Sequence, residues 1–114
     1  MAKYVIDYFE LPAKNAPTTS AFFSKAFGFG ALAYGDEYIE VRDAGVLGGI
    51  NADKGDRATY PMLGIRTDDI GDAEKTIVAA GGTITKAPYN YPGGKRLFFR
   101  EPGGAELMVY QPDE

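Results

Sequence analysis

The sequence predicts an α+β fold made of two tandem βαβββ modules. The prediction depends on a strand-like alternation near the start, on two helix patterns with matching caps and stops, and on the short strand patterns after each helix. Matching positions are 54 residues apart, as Leu11 and Ile65 illustrate. Because neither module has enough surface to bury its own sheet face, the chain is expected to form a single domain over residues 1–114.

The first predicted module covers about residues 1–54. It begins with "KYVIDYFEL", whose alternating aromatic and β-branched residues are typical of a half-buried strand. A helix follows, with Asn15 as N-cap, Pro17 in the first turn and Gly28 as its stop. Its apolar stripe consists of Phe22, Phe23, Ala26 and Phe27. Short strands in "ALAYG", "EYIEVRD" and "GVLGGIN" complete the module.

The second predicted module covers about residues 58–112 and repeats this order. After the strand "YPMLGIRT", a helix is capped by Asp68 or Asp69 and stopped by two glycines. Its predicted buried stripe consists of Ile70, Ala73, Ile77 and Ala80. The strands "GTITKAP", "GKRLFFRE" and "AELMVYQ" follow. The alternative is an α+β sandwich whose two helices merely resemble each other.

Composition excludes several classes of chemistry. The 114 residues include no cysteine and no histidine, which excludes disulfides, thiolate metal sites and triads that need a histidine base. A net charge of −4 without a basic stripe makes nucleic acid an unexpected partner. Asp7 and Glu10 interrupt the apolar start of the chain, which argues against a signal peptide or a membrane partner. We therefore expect a cytoplasmic protein.

Four segments together carry a resemblance to a known family: "IDYFELPAKNAPTTSAFFSKAFGFG", "VLGGIN", "IRTDDIGDAEKTIVAAGGTI" and "LFFREPGGAEL". They resemble the vicinal oxygen chelate superfamily, which groups glyoxalase I, bleomycin resistance proteins and extradiol dioxygenases, and especially its glyoxalase-like bacterial members of unassigned activity. The resemblance implies a concave, partly closed mixed sheet around a ligand cleft, with the helices outside. It also implies a two-fold homodimer, but it does not imply a reaction by itself.

The resemblance further implies where a metal ion would be held in metal-dependent members. The first-strand positions fall on Tyr8 and Met62, and the last-strand position of module two falls on Glu106. The remaining position falls on Gly48 or Gly49, or in a slightly different register on Val46 or Leu47. One carboxylate does not hold zinc, nickel or iron at ordinary concentrations, so we expect no cofactor and a metal-free cleft. Glu106 is then a remnant or has another role.

Strand alternation predicts which side chains share the cleft with Tyr8 and Glu106, because residues two apart lie on one face. The predicted ligand-binding residues are Tyr8, Glu10, Tyr38, Glu40, Arg96, Phe98, Met108 and Tyr110, with Arg42 and Arg100 nearby. Aromatic and thioether groups with a few convergent charges are typical of a pocket for a small organic molecule. Alternatively, these residues are ordinary core and solvated strand positions.

Two functional hypotheses follow. In the first, a module of the bleomycin-resistance kind binds a small, partly aromatic, possibly cationic compound by stacking and carboxylate pairing. In the second, the protein is an isomerase or lyase of the glyoxalase type. That enzyme would be metal-free, with Glu106 as general base and Tyr8 as hydrogen-bond donor to an oxyanion. Alternatively, it would use a degenerate carboxylate metal site around Glu106, Glu10 and Tyr8.

Overall fold

The computed structural model describes residues 4–114 and confirms the α+β class and the βαβββ order of both modules. The elements are β1 (Val5–Pro12), α1 (Ala16–Phe27), β2 (Gly30–Ala33), β3 (Tyr38–Arg42), β4 (Leu47–Asn51), β5 (Met62–Arg66), α2 (Ile70–Ala79), β6 (Thr83–Tyr91), β7 (Gly94–Arg100) and β8 (Glu106–Pro112). Neither helix in this part of the chain has the length and apolar character needed to cross a membrane.

The chain divides into two compact units, which differ from the predicted modules at β1. The amino-terminal unit is Tyr8–Met62, and the carboxy-terminal unit is Leu63–Glu114 together with the start of the chain through Asp7. Hydrogen bonds explain why the start of β1 groups with later residues. The Tyr4 hydroxyl donates to Asp72 at 2.7 Å, and the Tyr110 hydroxyl donates to Asp7.

In the amino-terminal unit the strand order is β2-β3-β4-β1. Strands β1 and β4 are parallel, whereas β2, β3 and β4 pair antiparallel. The α1 helix packs on one face of these strands, where Ala16 of the helix meets Ile39, Val41 and Ile50 of the sheet. Side chains that alternate with these core residues lie on the opposite face, which we call the helix-free face.

In the carboxy-terminal unit the strand order is β5-β8-β7-β6, with β5 and β8 parallel and the other pairs antiparallel. Its core lies between α2 and the sheet and consists of Ile70, Ala73, Leu97, Phe99 and Val109. Arg96, Phe98 and Met108 alternate with these core positions along β7 and β8, so they belong to this unit's helix-free face.

The helix boundaries follow from capping chemistry. The Asn15 carboxamide oxygen accepts a hydrogen bond from the Thr18 amide at 2.9 Å, and Gly28 ends α1 in the left-handed conformation with a φ of 75°. At α2 the cap is Asp69 rather than Asp68, because the Asp69 carboxylate accepts from the Asp72 amide at 3.0 Å. This helix ends at Ala79, and the predicted glycine stop is confirmed: Gly81 follows the C-cap in the left-handed conformation with a φ of 98°, and the Gly82 amide donates to the Ile77 carbonyl at 2.9 Å.

The apolar stripe of α1 lies differently from the pattern that the sequence suggested, whereas α2 follows its predicted stripe except at Ala80. In α1 the buried residues are Ala16 and Ser20, while Phe22 and Phe27 are 59% and 62% exposed. Small side chains let the helix approach the strands closely, and the phenylalanine rings pack mainly against one another and Phe29. The ring centroids of Phe22, Phe23 and Phe27 are 5.2 to 6.3 Å from one another, and Phe29 lies 6.2 Å from Phe23 and 5.7 Å from Phe27. In α2, Ile70 and Ala73 are buried, Ile77 is partly buried and Ala80 is exposed.

Candidate functional site

The strand registers place the predicted ligand-binding residues on the helix-free faces of the two units. In the amino-terminal unit these residues are Tyr8, Glu10, Tyr38 and Glu40; in the carboxy-terminal unit they are Arg96, Phe98, Glu106, Met108 and Tyr110. Each unit therefore positions its own set of polar and aromatic groups.

A hydrogen-bond network surrounds Glu10, which is only 2% exposed. The hydroxyls of Tyr8 and Tyr38 share a short hydrogen bond, and the Tyr38 hydroxyl donates to Glu10 Oε2 at 3.2 Å. The side-chain amide of Asn51 donates to Glu10 Oε1 at 3.3 Å. A buried carboxylate is tolerated when both of its oxygens are hydrogen-bonded, and this requirement is met here.

Asn51 links this network to the loop after β4. Its side-chain amide also donates to the Asp56 carboxylate at 2.9 Å, and its carboxamide oxygen accepts from the Asp53 amide at 2.9 Å. Nothing in the strand alternation of the sequence distinguished Asn51 from an ordinary strand end. Its position after the "VLGGI" run, opposite Tyr38 in the register, is what brings it to Glu10.

The paired glycines of β4 make room for aromatic rings on both faces of the strand. A Cβ atom at Gly49 would overlap the hydroxyls of Tyr38 and Tyr8, and one at Gly48 would overlap the ring of Phe9 on the other face. Larger residues at these two positions would therefore displace the rings. The tyrosine network therefore requires the glycine at position 49, and the Phe9 ring requires the one at position 48.

Glu40 lies on the same face but outside this network. Its carboxylate accepts a hydrogen bond from Arg42 Nε, and the Arg42 side chain is 51% exposed. This hydrogen bond, with the charge of Glu40, raises the pKa of Arg42 above its usual value. Glu40 therefore forms a surface ion pair with a residue two positions along its own strand.

In the carboxy-terminal unit a second group surrounds Arg96, which is 5% exposed. We call it the Lys86–Arg96 cluster; its members are Lys86, Tyr89, Tyr91, Arg96, Phe98 and Met108. Arg96 Nε donates to the Tyr89 hydroxyl, and one terminal nitrogen lies 3.7 Å from the Met108 sulfur. The guanidinium carbon is 5.2 Å from the Phe98 ring centroid and 5.5 Å from that of Tyr91.

Two irregularities in β6 bring Lys86 and Tyr89 into this cluster. Ile84 is opposite Phe99, Lys86 is opposite Phe98 and Tyr89 is opposite Arg96, so β6 carries an extra residue in each interval. Such bulges redirect side chains, and here they place residues three apart on one face. The strand predicted from the sequence, "GTITKAP", contains Lys86 but ends before Tyr89 and Tyr91, and none of the three was assigned to the site. The signal that could have revealed them is Pro88, since proline within a strand marks an edge or a bulge.

Glu106 lies elsewhere on this unit's helix-free face. The Thr85 hydroxyl donates to Glu106 Oε2 at 2.6 Å, an Arg100 terminal nitrogen lies 3.9 Å from Oε1, and the side chain is 26% exposed. Both neighbours supply donors to the carboxylate. Tyr8, its predicted catalytic companion, belongs to the amino-terminal unit, so a joint role for the two residues stays a prediction.

Tyr110 uses its hydroxyl within its own unit. It donates to Asp7, whose other oxygen is 3.9 Å from an Arg66 terminal nitrogen. Burial, followed by the hydrogen bond to Asp7, raises the pKa of Tyr110 far above its ordinary value. The hydroxyl therefore holds the start of β1 to β8, while the ring is the part of Tyr110 that remains on the helix-free face.

The residues at the metal positions implied by the resemblance do not fit a divalent ion. The β4 residue opposite Tyr8 is Leu47, so the register favours Leu47 over the two glycines as the third position. The set is then Tyr8, Leu47, Met62 and Glu106, with a single carboxylate. Within residues 4–114 the structure brings together no group of three or more histidine, cysteine, aspartate or glutamate side chains able to hold a metal ion. Three or four such ligands are the usual requirement.

The chain shares its fold with several solved structures. It is similar over 94% of its length, and over 99% of the other chain, to a structure described as an NAD-dependent benzaldehyde dehydrogenase from Legionella pneumophila, with 12% identity and a TM-score of 0.79. A methylmalonyl-CoA epimerase from Mycobacterium tuberculosis matches with 10% identity and a TM-score of 0.70, covering 96% of this chain and 88% of that one.

A Mn(II)-bound glyoxalase from Novosphingobium aromaticivorans matches with 16% identity and a TM-score of 0.59; the match covers 96% of this chain and 38% of that one. At such identities these similarities establish the fold alone. A comparison with curated protein sequences found no match. The family model described as glyoxalase/bleomycin resistance protein/dioxygenase superfamily matches residues 5–109, which is nearly the whole chain. The chain therefore belongs to the glyoxalase/bleomycin resistance protein/dioxygenase superfamily.

Proposed function

We propose that this protein binds a small organic molecule on the helix-free face of one of its two units and makes or breaks no bond in it. The observation that carries the proposal is the burial of two charged side chains among aromatic groups, namely Glu10 at 2% exposure and Arg96 at 5%. Burying a charge is costly, and buried ionisable groups with specific partners are concentrated at functional sites. Neither residue contributes to the hydrophobic cores under the helices.

The groups around these charges suit ligand recognition. Tyr8 and Tyr38 combine ring faces for stacking with hydroxyls that already exchange hydrogen bonds with each other and with Glu10. Phe98 and Tyr89, with centroids 6.3 Å apart and rings nearly perpendicular, offer aromatic surface beside Arg96. Apolar walls with a few placed polar groups are the usual composition of a small-molecule site.

The alternative is a lyase or isomerase in which Glu106 removes a proton. The neighbours of Glu106 support this role less well than they support a fixed acceptor, because Thr85 donates a hydrogen bond to Oε2 and an Arg100 terminal nitrogen forms an ion pair with Oε1 at 3.9 Å. A general base needs a free lone pair directed at its substrate. Binding without chemistry is therefore the function we favour, with the enzyme as the second candidate.

A thermal-shift screen with substituted variants tests the proposal. Aromatic, dicarbonyl and cationic metabolites should include at least one compound that raises the melting temperature, because binding to the folded state stabilises it. Tyr8→Phe should weaken the binding of that compound by about 1 to 3 kcal/mol if the Tyr8 hydroxyl contacts it. Tyr34→Phe is the matched control, since Tyr34 is 59% exposed. Glu106→Gln locates the ligand: a lost effect places it at Glu106, and an unchanged effect leaves Glu106 outside the site.

If no compound in such a screen stabilises the protein, the binding proposal fails. A compound that is consumed, with turnover lost in Glu106→Gln, would establish the enzymatic alternative instead. The cytoplasmic location and the two-fold homodimer expected from the sequence stay predictions; sedimentation at tens of micromolar would reveal a monomer if the second is wrong.

A further inference from the structure

We propose that the outer edge of β2 is an interaction surface for a second copy of this chain, with the two β2 strands paired antiparallel across a two-fold axis. This interface is independent of the proposed small-molecule binding. It gives a geometry to the homodimer that the family resemblance implies without one. All of the groups that form it belong to the amino-terminal unit.

The outer strands of the two units, β2 and β6, differ in how they are protected against pairing with another strand. Strand β6 contains Lys86, Pro88 and two bulges, which are features that prevent an edge strand from pairing. Strand β2 is Gly-Ala-Leu-Ala, without a charge or a proline, and its register with β3 is regular throughout. The edge of β2 is therefore suited to accept a further strand.

The backbone of β2 directs donors and acceptors toward its outer side. The Tyr34 amide donates to the Tyr38 carbonyl at 2.8 Å, at the end of the β2–β3 hairpin. Because inward and outward positions alternate along an antiparallel strand, Ala31 and Ala33 direct their N–H and C=O groups away from β3. With a two-fold axis at Leu32, Ala31 of each copy is opposite Ala33 of the other. Each such pair exchanges both of its hydrogen bonds, so this register satisfies the outward groups of both strands.

The side chains of β2 permit this approach on both faces of the sheet. Ala31 and Ala33 are exposed and lie opposite the core residues Val41 and Ile39, so the helix side of the edge carries only small apolar groups. Leu32 is 38% exposed and lies on the helix-free face. At the axis it is opposite its own copy in a non-hydrogen-bonded pair, where side chains contact each other closely.

The end of α1 adds exposed aromatic surface beside the start of β2. Phe22 and Phe27 are 59% and 62% exposed, and the Phe27 ring centroid lies 5.7 Å from that of Phe29, which directly precedes β2. Within residues 15–34 the one charged residue is Lys25, whereas charged residues make up 25% of the whole chain. Enrichment in aromatic residues and depletion of charge are typical of the core of a protein interface.

Charges at the two ends of β2 identify a second copy as the partner. Lys25 lies near the start of β2, because the hydroxyl of the adjacent Ser24 donates to the Phe29 carbonyl at 2.8 Å. Asp36 and Glu37 are exposed in the turn that follows β2. An antiparallel pair brings the start of one strand to the end of the other, so the lysine of each copy approaches the two carboxylates of its partner. These contacts favour the proposed register although each copy carries a net charge of −4.

Sedimentation and amide exchange of the intact protein test the interface. We expect a dimer in which the Ala31 and Ala33 amides exchange more slowly as the protein concentration rises, while amides at the outer edge of β6 keep a constant rate. Leu32→Lys puts like charges opposite each other at the axis and should raise the dimer dissociation constant at least about tenfold. Leu63→Lys is the matched control, since Leu63 is a strand leucine that is 48% exposed, and should leave the constant unchanged.

Charge reversal tests the register of the two strands. Lys25→Glu should raise the dissociation constant about fivefold, because an attraction becomes a repulsion twice in the symmetric dimer. Adding Glu37→Lys to that variant should restore most of the affinity. Lys75→Glu is the control with the same change in net charge, since Lys75 is an exposed lysine of α2, and should have no effect.

Each contrary result overturns the interface. A monomer at tens of micromolar removes it, and a dimer that dissociates in Leu63→Lys but not in Leu32→Lys is formed by another surface. Slow exchange of Ala31 and Ala33 at every concentration shows that a segment of the same chain covers β2. Equal losses in Lys25→Glu and Lys75→Glu reflect net charge alone. If Leu32→Lys does not fold, the exchange rates of the unsubstituted protein decide, and the thermal-shift screen tests ligand binding separately.

Discussion

The two compact units have the same architecture but opposite chemistry on their helix-free faces. In the amino-terminal unit a buried carboxylate, Glu10, accepts hydrogen bonds from Tyr38 and Asn51. In the carboxy-terminal unit a buried guanidinium, Arg96, is surrounded by aromatic rings and a thioether. The first face is organised by hydrogen bonds, whereas the second is organised mainly by contacts of cations with rings.

The difference shows which part of a duplicated module is free to diverge. Helix-facing positions such as Ile50 and Leu97 are fully buried, and packing restricts them to apolar residues of suitable volume. Side chains on the helix-free faces have no helix packed against them. Packing against a helix therefore does not restrict which residues occupy those positions. The repeat therefore retains its strands, caps and core while its two helix-free faces acquire unlike charges.

The largest expected effect comes from removing the guanidinium side chain from its cluster. Arg96→Ala should lower the free energy of unfolding by about 3 kcal/mol, because it deletes a long buried side chain and leaves a cavity among rings. Urea unfolding followed by circular dichroism measures this loss. Arg100→Ala, in the same strand but with a side chain 51% exposed, should cost less than about 1 kcal/mol. Equal costs would show that the burial of Arg96 does not distinguish the two arginines.

A smaller loss is expected at the carboxylate of the other face. Glu10→Gln should cost about 1 kcal/mol, since one oxygen becomes a donor and the Tyr38 hydroxyl must reverse its hydrogen bond to compensate. Glu40→Gln is the matched control on the same face, where the partner Arg42 is half exposed, and should change stability by less than about 0.5 kcal/mol. If the two variants unfold at the same urea concentration, the Glu10 network contributes nothing specific.

The hydroxyl of Tyr110 provides a test by pH. Tyr110→Phe removes the hydrogen bond to Asp7 and should cost about 1 kcal/mol near neutral pH. Because the pKa of Tyr110 is raised in the folded state from an ordinary value of 10.0, its contribution is complete below about pH 10 and declines as the pH rises further. Urea midpoints between pH 7 and 11 should therefore converge for the two proteins above pH 10. Parallel curves would refute the raised pKa.

Sequence reasoning found the features that depend on local rules. The caps Asn15 and Asp69 and the order of elements follow from short-range chemistry, and alternation assigned residues such as Glu10 and Phe98 to the correct face. It missed what depends on irregular pairing. Lys86 joins Arg96 only because β6 bulges, and Asn51 meets Glu10 only through the register of neighbouring strands. Neither a bulge position nor a cross-strand register can be derived from periodicity alone.

The smallest expected effect is that of metal ions. Among residues 4–114 no three acidic side chains converge on one point, and the carboxylates of Glu10 and Glu106 accept hydrogen bonds from Tyr38, Asn51 and Thr85. Protein purified without chelator should therefore contain far less than one equivalent of zinc, nickel, manganese or iron by elemental analysis. Added ions should leave the melting temperature unchanged, because stabilisation requires tight binding to the folded state. Near-stoichiometric metal that is lost in Glu106→Gln would contradict this expectation and favour the degenerate carboxylate site, whereas metal retained in that variant would indicate ligands elsewhere.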